Sequence, residues 1–440
     1  MFPVRYIHAA DLHLDAAFSG ISREASGADM AARLRTATFT ALERLFSLCE
    51  REKPDFLVIA GDIYNQEDHS VKAQMALRDG CERLAACGVR IFLAHGNHDP
   101  LSSRLQSLHW PDNTTIFGDS VESHIVTRDA VPVAVVHGIS HATAREMRNL
   151  AQSFSRLDME GHTQNAEARR CFQLGVLHCT LEGTSHADRY APCTPHDLQT
   201  TGLDAWALGH VHERRIVNEQ PFVAYPGNTQ GLHINESGPR GCLLVSATPD
   251  AAPDAELPAF SCTASFHPLG PVQWETLTVS AEGVTDLNRL ETAIADSMEK
   301  AGAATDVSCS TLMVRVRLAG RTELDAILRA PGAAADLAER LRGESTGRPL
   351  VWLKDLMVDT GQWLDMEALL RREDLLGETL RLAKERQSSS ESLTSLASDA
   401  LHPLARHAKT CSALTPPEAE ELSSLLDDAQ RLCIDLMEAR

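Results

Sequence analysis

Residues 55–99 read DFLVIAGDIYNQEDHSVKAQMALRDGCERLAACGVRIFLAHGNHD. Two apolar runs, Asp55 to Ala60 and Val89 to Ala94, have the length and aliphatic make-up of buried strands. Each stops on a polar cluster, Gly61-Asp62 and His95-Gly96-Asn97-His98. Between them, about Ser70 to Cys87 reads as a helix. The same unit starts upstream. Val4 to Ala9 is a β-rich run that stops at Asp11, and Ala31 to Glu50 carries Leu34, Phe39, Leu42, Leu45, Phe46 and Cys49 at helical spacing. A βαβαβ rhythm of this kind implies a parallel sheet with helices on its faces. Polar clusters past the carboxyl ends of its strands are where such sheets build their sites.

Downstream the strand signals crowd together: Val131 to His137, Leu174 to His178, Ala205 to Gly209, Pro221 to Tyr225, Gly241 to Ser246 and Gln273 to Val279. A polar helical stretch, about Ala142 to Ser155, interrupts them, followed by a flexible segment to Ala168. Proline and alanine around Ala247 to Ala259 mark an exposed loop. A helix at Leu287 to Ala301, a strand at Ser310 to Leu318, a helix at Ala333 to Leu341 and a strand at Leu350 to Val358 form a small α/β unit. Met366 to Arg386 reads as a helix. Gln387 to Ser398 (QSSSESLTSLAS) reads as a serine-rich linker. Thr415-Pro416-Pro417-Glu418 carries helix-start chemistry. The expected division is 1–280, 281–360 and 361–440.

The chain has 440 residues, enough at roughly 150 residues per domain for two or three domains. With 43% hydrophobic and 23% charged residues it is neither a disordered nor a collagenous chain. Its longest nearly apolar run, Val131 to Val136, is far short of the roughly 20 residues of a membrane span. The start, MFPVRYIHAADLHLD, interrupts its apolar residues with polar ones, unlike a secretory signal. Eleven cysteines without a CxxC pair read as reduced thiols in a cytoplasmic protein. A net charge of −20 excludes a broad basic surface.

Five separated pieces each place metal-ligand side chains after an apolar β-run: Asp11 and His13, Asp62, Asn97 with His98 and Asp99, His178, and His210 with His212. In an extended strand end, residues two apart project to the same side, so Asp11 with His13 and His210 with His212 are expected to converge. Asp62 has two oxygens with which to bridge two cations. Gly61, Gly96 and Gly209 allow sharp turns. Oxygen and imidazole donors without thiolate suit Mn²⁺, Fe, Zn²⁺ or Mg²⁺ chemistry. Two such ions about 4 Å apart form a clamp for phosphoryl transfer.

HAADLHLD, GDIYNQ, AHGNHDP, LHCT, LGHVH and YPGNTQG together resemble the calcineurin-like metallophosphoesterases, and more narrowly the SbcD-like DNA repair nucleases of the YhaO-type bacterial branch. The resemblance covers roughly residues 1–245. It implies an α/β fold: a four-layer metallophosphoesterase β-sandwich flanked by helices, with a small α/β capping domain and a helical C-terminal tail. It implies Asp11, His13, Asp62 and His212 at a first metal, and Asp62, Asn97, His178 and His210 at a second. His98 would face the scissile phosphate and Asp99 would orient His98. The implied reaction is DNA phosphodiester hydrolysis with two divalent ions, usually Mn²⁺. The implied partners are DNA and a coiled-coil, SbcC-like ATPase gripped by the C-terminal helices, with a homodimer also in view. Two positions depart from the pattern: Asn65 stands where some relatives carry a second active-site histidine, and Leu232 where a basic residue is expected.

Competing readings are a phosphodiesterase or phosphatase acting on a nucleotide or other small phosphoester, and a non-catalytic scaffold for an ATPase. His8, His95 and His137 read as structural, and His141, His186, His196 and His233 as loop histidines. Arg145 and Arg148 read as a solvated face, Asp15 as a cap or a support for His13, and Tyr225 to Asn228 as a tight turn beside the site. In the tail, Leu422, Leu425, Leu426, Ala429, Cys433, Leu436 and Met437 share one helical face, which needs either the chain's own body or a partner.

Overall fold

A computed structural model of the chain describes residues 2–20, 23–65, 70–103, 108–156, 168–182, 189–250, 259–342, 347–405 and 419–438. The sequence begins by building one sheet. β1 (Val4–Ala9), β2 (Phe56–Ala60), β3 (Arg90–Ala94) and β4 (Thr114–Ile116) run parallel, with α1 (Arg23–Glu52) and α2 (Val71–Ala86) in the crossovers. A second sheet follows from β5 (Glu122–Arg128), β6 (Val131–Gly138), β7 (Phe172–His178), α3 (Pro195–Thr200), β8 (Ala205–Gly209), β9 (Arg215–Glu219) and β10 (Phe222–Tyr225). Its order is β5-β6-β7-β8-β10-β9. β11 (Gly241–Pro249) and β12 (Phe260–Pro268) then return to the first sheet, whose order becomes β12-β11-β1-β2-β3-β4, with β11 antiparallel to β1.

Strands β1 to β3 are apolar apart from Arg5, His8 and Arg90 because both of their faces are buried. Alternate residues point opposite ways. Tyr6, Phe56, Val58 and Phe92 meet Phe172, Leu174 and Val176 of the second sheet, and the Tyr6 and Phe56 rings stack at 5.2 Å. Ile7, Leu57, Ile59, Ile91 and Leu93 face the helices, against Leu42, Leu45, Phe46, Leu77 and Leu84. The far face of the second sheet packs Trp206 and Tyr225 on Phe154 and Leu198. The layers are therefore helix, sheet, sheet and a thin helical cover, the architecture expected from the sequence.

β13 (Val272–Ser280) pairs in parallel with β14 (Thr311–Thr322) across α4 (Leu287–Ala304), and β15 (Leu350–Gln362) completes a three-stranded sheet. α5 (Asp325–Leu328) and α6 (Ala333–Arg342) lie between β14 and β15 in sequence. The chain forms two compact units. The first holds Met1–Ser280, Asp286–Ala319 and Leu328–Asp359. The second holds Ala281–Thr285, Gly320–Ile327 and Thr360–Arg440. In the second, α7 (Met366–Leu370), α8 (Leu375–Gln387), α9 (Ser390–Ala405) and α10 (Ala419–Glu438) pack around Leu369, Leu376, Leu380 and Ile434.

Three segments differ from their sequence reading. Ala142 to Ser155 is not an α-helix; only Leu150–Ser153 makes a 3₁₀ turn. Glu146 there accepts from the backbone and guanidinium of Arg148, and local side-chain bonds of this kind compete with helix. Met366 to Arg386 is broken into two helices, because Asp365 and Asp374 each cap a new helix start. The serine-rich linker is helical from Ser390 onward, with Leu393 buried, so packing overrides the weak propensity of serine. The segment before Ala168 read from the sequence as flexible, most of Ala247 to Ala259 read as an exposed loop, and Thr415 to Glu418 lie outside the described residues. No described helix is long and apolar enough to cross a membrane.

α1 and α2 approach closely at Gly80, where a Cβ would lie 1.9 Å from Phe46 Cε2. Gly80→Ala adds about 1 kcal/mol of helix propensity but overpacks a buried ring, which costs about 1–3 kcal/mol. The overpacking is expected to win. The denaturant midpoint should fall with an unchanged slope; a raised midpoint would show that Phe46 yields freely.

Candidate metal centre

The parallel order β1-β2-β3 brings three strand ends side by side, and the carboxyl ends of β7 and β8 face them from the second sheet. Asp11 N donates to Gly61 O at 3.0 Å and His13 N to Asp62 O at 3.1 Å, which ties the first two loops together. The convergence does not come from extended alternation. Asp11, His13, Asp62 and His210 have φ of 52°, 42°, 50° and 97°, in the left-handed region. Non-glycine residues seldom stay there unless their surroundings hold them, and such strain gathers at functional sites. Gly61, at φ 93°, is obligatory: a Cβ would sit 2.2 Å from His178 Nδ1.

Two clusters result. Ligand atoms of Asp11, His13 and His212 lie within 4.8 Å of one another, as do those of Asp62, His178 and His210. His178 Nε2 is 3.0 Å from Asn97 Oδ1 and 3.3 Å from Asp62 Oδ2. His210 N donates to the Asp11 carboxylate at 3.1 Å. All seven expected ligand residues thus meet at one place.

Burial pushes Asp11 up to about 6 against the charges of His178 and His212. Burial would raise Asp62 as well, but the His178 charge and hydrogen bond hold its carboxyl well below the usual range. For His178 burial is likewise outweighed by the Asp62 carboxylate, and its pKa rises to about 9. Burial and the His212 charge push His13 down to about 4.

The remaining expectations divide. His98 is exposed at the rim; its N donates to Asp62 Oδ1 at 2.8 Å and its ring stands edge-on to His13 at 5.0 Å. Asp99 does not orient His98. Its buried carboxylate accepts from Ile63 N, Gly96 N and the His95 ring, so it braces the loops instead. His141 is not a surface histidine but fully buried, with Nε2 donating to His178 O at 2.7 Å. His8 donates to Leu208 O and His137 bonds Gln173, as structural residues do. His196 is exposed and His233 only partly buried, while His186 lies outside the described residues. Asp15 accepts from Ser70 Oγ, and Tyr225 donates to Cys179 O. Arg148 pairs with Glu146, and Arg145 is exposed.

One important residue has no motif. Glu236 accepts from His212 Nδ1 at 2.5 Å, from Leu232 N at 2.6 Å and from Asn228 Nδ2 at 3.1 Å. Arg240 clamps the same histidine from behind, donating to His212 O and to the Glu236 and Ser237 carbonyls. On the facing side Asn65 Oδ1 accepts from His13 Nδ1 at 2.7 Å.

The family model described as "Calcineurin-like phosphoesterase" matches residues 4–214, and that described as "Metallophosphoesterase YhaO, middle domain" matches 274–361. The uncharacterized metallophosphoesterase YhaO of Bacillus subtilis is 33% identical over 75% of this chain and 75% of its own length. The chain belongs to the calcineurin-like phosphoesterase family. This phosphoesterase is also 26% identical to the DNA double-strand break repair protein Mre11 of Aeropyrum pernix, over 56% of the chain and 59% of that protein. It is 22% identical to a subunit of the nuclease SbcCD of Staphylococcus epidermidis, over 53% of the chain and 63% of that protein.

The donor set fits divalent cations. With Nδ1 of His13 and of His212 both donating to oxygen, both Nε2 atoms turn lone pairs toward each other across 3.1 Å. Only an added proton or a cation reconciles two such acceptors, and a cation shared with the Asp11 carboxylate does so without charging either ring.

Glu236→Ala removes both acceptor and charge from His212, whereas Glu236→Gln keeps an acceptor oxygen. Metal titration with elemental analysis should show the Asp11–His13–His212 site weakened about 10–100-fold in the alanine variant and less in the glutamine variant. The other site should keep its ion. Unchanged affinity in Glu236→Ala would remove this role from Glu236.

Proposed function

We propose that this phosphoesterase is a metal-dependent DNA nuclease. In this reading Asp62 bridges the two sites. Asp11, His13 and His212 complete the first, and Asn97, His178 and His210 complete the second. The observation that carries the reading is the cleft onto which both clusters open. It has a volume of about 870 Å³ and brings Asp62, Asn97, His98, His210 and His212 together with Arg214, while Glu213 and Glu236 also line it. A cleft that sets an exposed imidazole, His98, and an exposed guanidinium, Arg214, beside both clusters suits a phosphodiester strand. Arg214 is carried over the Phe266 ring at 4.0 Å, poised for backbone phosphate. The names of the Mre11 and SbcCD relatives support the same substrate class.

Two divalent ions, Mn²⁺ in this proposal, supply Lewis acidity toward water and the phosphoryl oxygens. The chain's own residues do the rest. Asp62, held anionic, keeps His98 in place through the His98 N–H bond. His98, at the rim, donates a proton to the departing oxygen or stabilises charge on the phosphate. Asn65 and Glu236 fix the tautomers of His13 and His212.

The partner in this proposal is a coiled-coil ATPase acting with the nuclease in the cytoplasm. The tail carries fifteen acidic and nine basic residues over 361–440, a poor grip on phosphates. Leu422 and Ile434 of α10 are buried, whereas Leu425, Leu432 and Leu436 are exposed, an apolar stripe suited to another helix.

The test is hydrolysis of DNA with defined ends and of bis-p-nitrophenyl phosphate, with Mn²⁺, with chelator, and with or without the ATPase. Cleavage of the small diester alone favours a small-phosphoester enzyme; bound metal without any cleavage favours a scaffold. His98→Ala should keep its metal yet lose roughly 10²-fold or more in rate. Metal loss in that variant would make His98 a ligand. Asp62→Asn should lose at least one ion, and two tightly held ions with full activity would defeat the bridging role.

A further inference from the structure

The first compact unit carries a second cavity, formed by α1, the end of α4, the start of β14 and the approach to β15. It has a volume of about 760 Å³ and is lined by Arg33, Arg44 and Arg348 with Ser308, Ser310 and Thr305. Among the described residues no acidic side chain lines it. In a chain with 61 acidic and 41 basic residues, three arginines without an acidic neighbour in the lining are an unusual concentration of positive charge. Among the described residues none of the three makes an ion pair. Arg44 spends one N–H on Leu269 O, and Arg33 and Arg348 are exposed. The nearby Asp306 carboxylate is turned onto Ser308 N. An adjoining cavity of about 470 Å³ shares Gly302, Ala303, Gly347, Arg348 and Pro349, is floored by Met298, Leu341 and Val351, and carries the exposed Glu299 in its lining.

A guanidinium chamber beside one with an aliphatic floor and a single carboxylate, Glu299, in its lining matches a ligand with an anionic head and a flat body that carries N–H donors. Arginine forks bind phosphate oxygens bidentately, and three of them exceed what a single carboxylate can use. We propose that this groove is a binding site for a nucleotide unit, with phosphate against Arg33, Arg44 and Arg348 and the base over the Met298–Val351 floor. The site is separate from the metal cleft, and the proposal stands whichever phosphoester that cleft hydrolyses. The nucleotide is either free or one link of a single strand.

The test uses the full chain with a fluorescein-labelled 15-mer of deoxythymidine, followed by anisotropy, and unlabelled thymidine monophosphate as competitor. Arg33→Glu with Arg348→Glu changes two exposed side chains and leaves the metal ligands untouched. The double variant should bind the strand roughly tenfold or more weakly. It should lower the slope of log affinity against log salt by about 1.4, at about 0.7 per single-strand phosphate. Its metal content, hydrolysis of bis-p-nitrophenyl phosphate and melting temperature should not change. If the monophosphate competes in the wild type and loses that ability in the variant, the source is a free nucleotide. If only strand binding falls, the groove tracks a strand. Arg33→Ala with Arg348→Ala should give the same loss at smaller size, which separates lost contacts from introduced repulsion. The proposal is overturned if the wild type binds neither probe, if the variants bind like wild type, or if poly-glutamate displaces the strand as well as nucleic acid does.

Discussion

His178 is held by a hydrogen bond that crosses from one sheet to the other: its Nδ1–H donates to the Ala60 carbonyl at 2.9 Å. That bond fixes which nitrogen faces the cleft and docks the end of β7 on the end of β2. Nε2 is thereby delivered to Asn97 and Asp62, which arrive from neighbouring loops. His141, from beneath, holds the His178 carbonyl, and His8 ties β1 to β8 one layer down. The sandwich core around Tyr6, Phe56 and Phe172 supplies the rigidity that keeps these contacts in register. A site built from side chains on two sheets needs the sheets locked first, and here buried imidazole–carbonyl bonds do the locking.

Much of this was legible in the sequence. Apolar runs such as DFLVIA and VRIFLA announce strands buried on both faces, and the polar residues that stop them announce the site. Asp11, His13, Asp62, Asn97, His178, His210 and His212 could be gathered because each follows such a run. The route by which they converge could not be read. Spacing by two suggested extended strand ends, yet the chain turns through left-handed conformations at Asp11 and His13, which only tertiary contacts select. Asp99 was misassigned because adjacency in sequence to His98 says nothing about which way a buried carboxylate turns. Glu236 was invisible for a related reason: it lies in a loop without periodicity, and its partners are 4, 8 and 24 residues away. The polar edge strands β4, β5 and β9 carried no apolar alternation to betray them.

Electrostatics explain why so acidic a chain builds a centre for anionic substrates. The cleft holds a carboxyl whose pKa burial raises at Asp11, an imidazole whose pKa the Asp62 carboxylate raises at His178, and two Nε2 atoms, of His13 and His212, that face each other. Each feature is costly in a buried place and each is relieved by a divalent ion. Ion binding is thus coupled to the stability of the whole sandwich, because a ligand that binds only the folded chain stabilises it by mass action.

The return of β11 to lie against β1 bears on how this chain can be divided. β11 pairs with β1 from Val4 to His8, and its Leu243 and Val245 fill the core between the sheets. A fragment ending near residue 214 holds every residue of the two metal clusters, yet its first sheet would stop at a bare β1. That strand would present unpaired N–H and C=O groups along an apolar ribbon, a template for pairing with another molecule. Recombinant pieces cut at the end of the ligand-bearing sequence are therefore aggregation hazards, and the smallest separable phosphoesterase extends at least through β12.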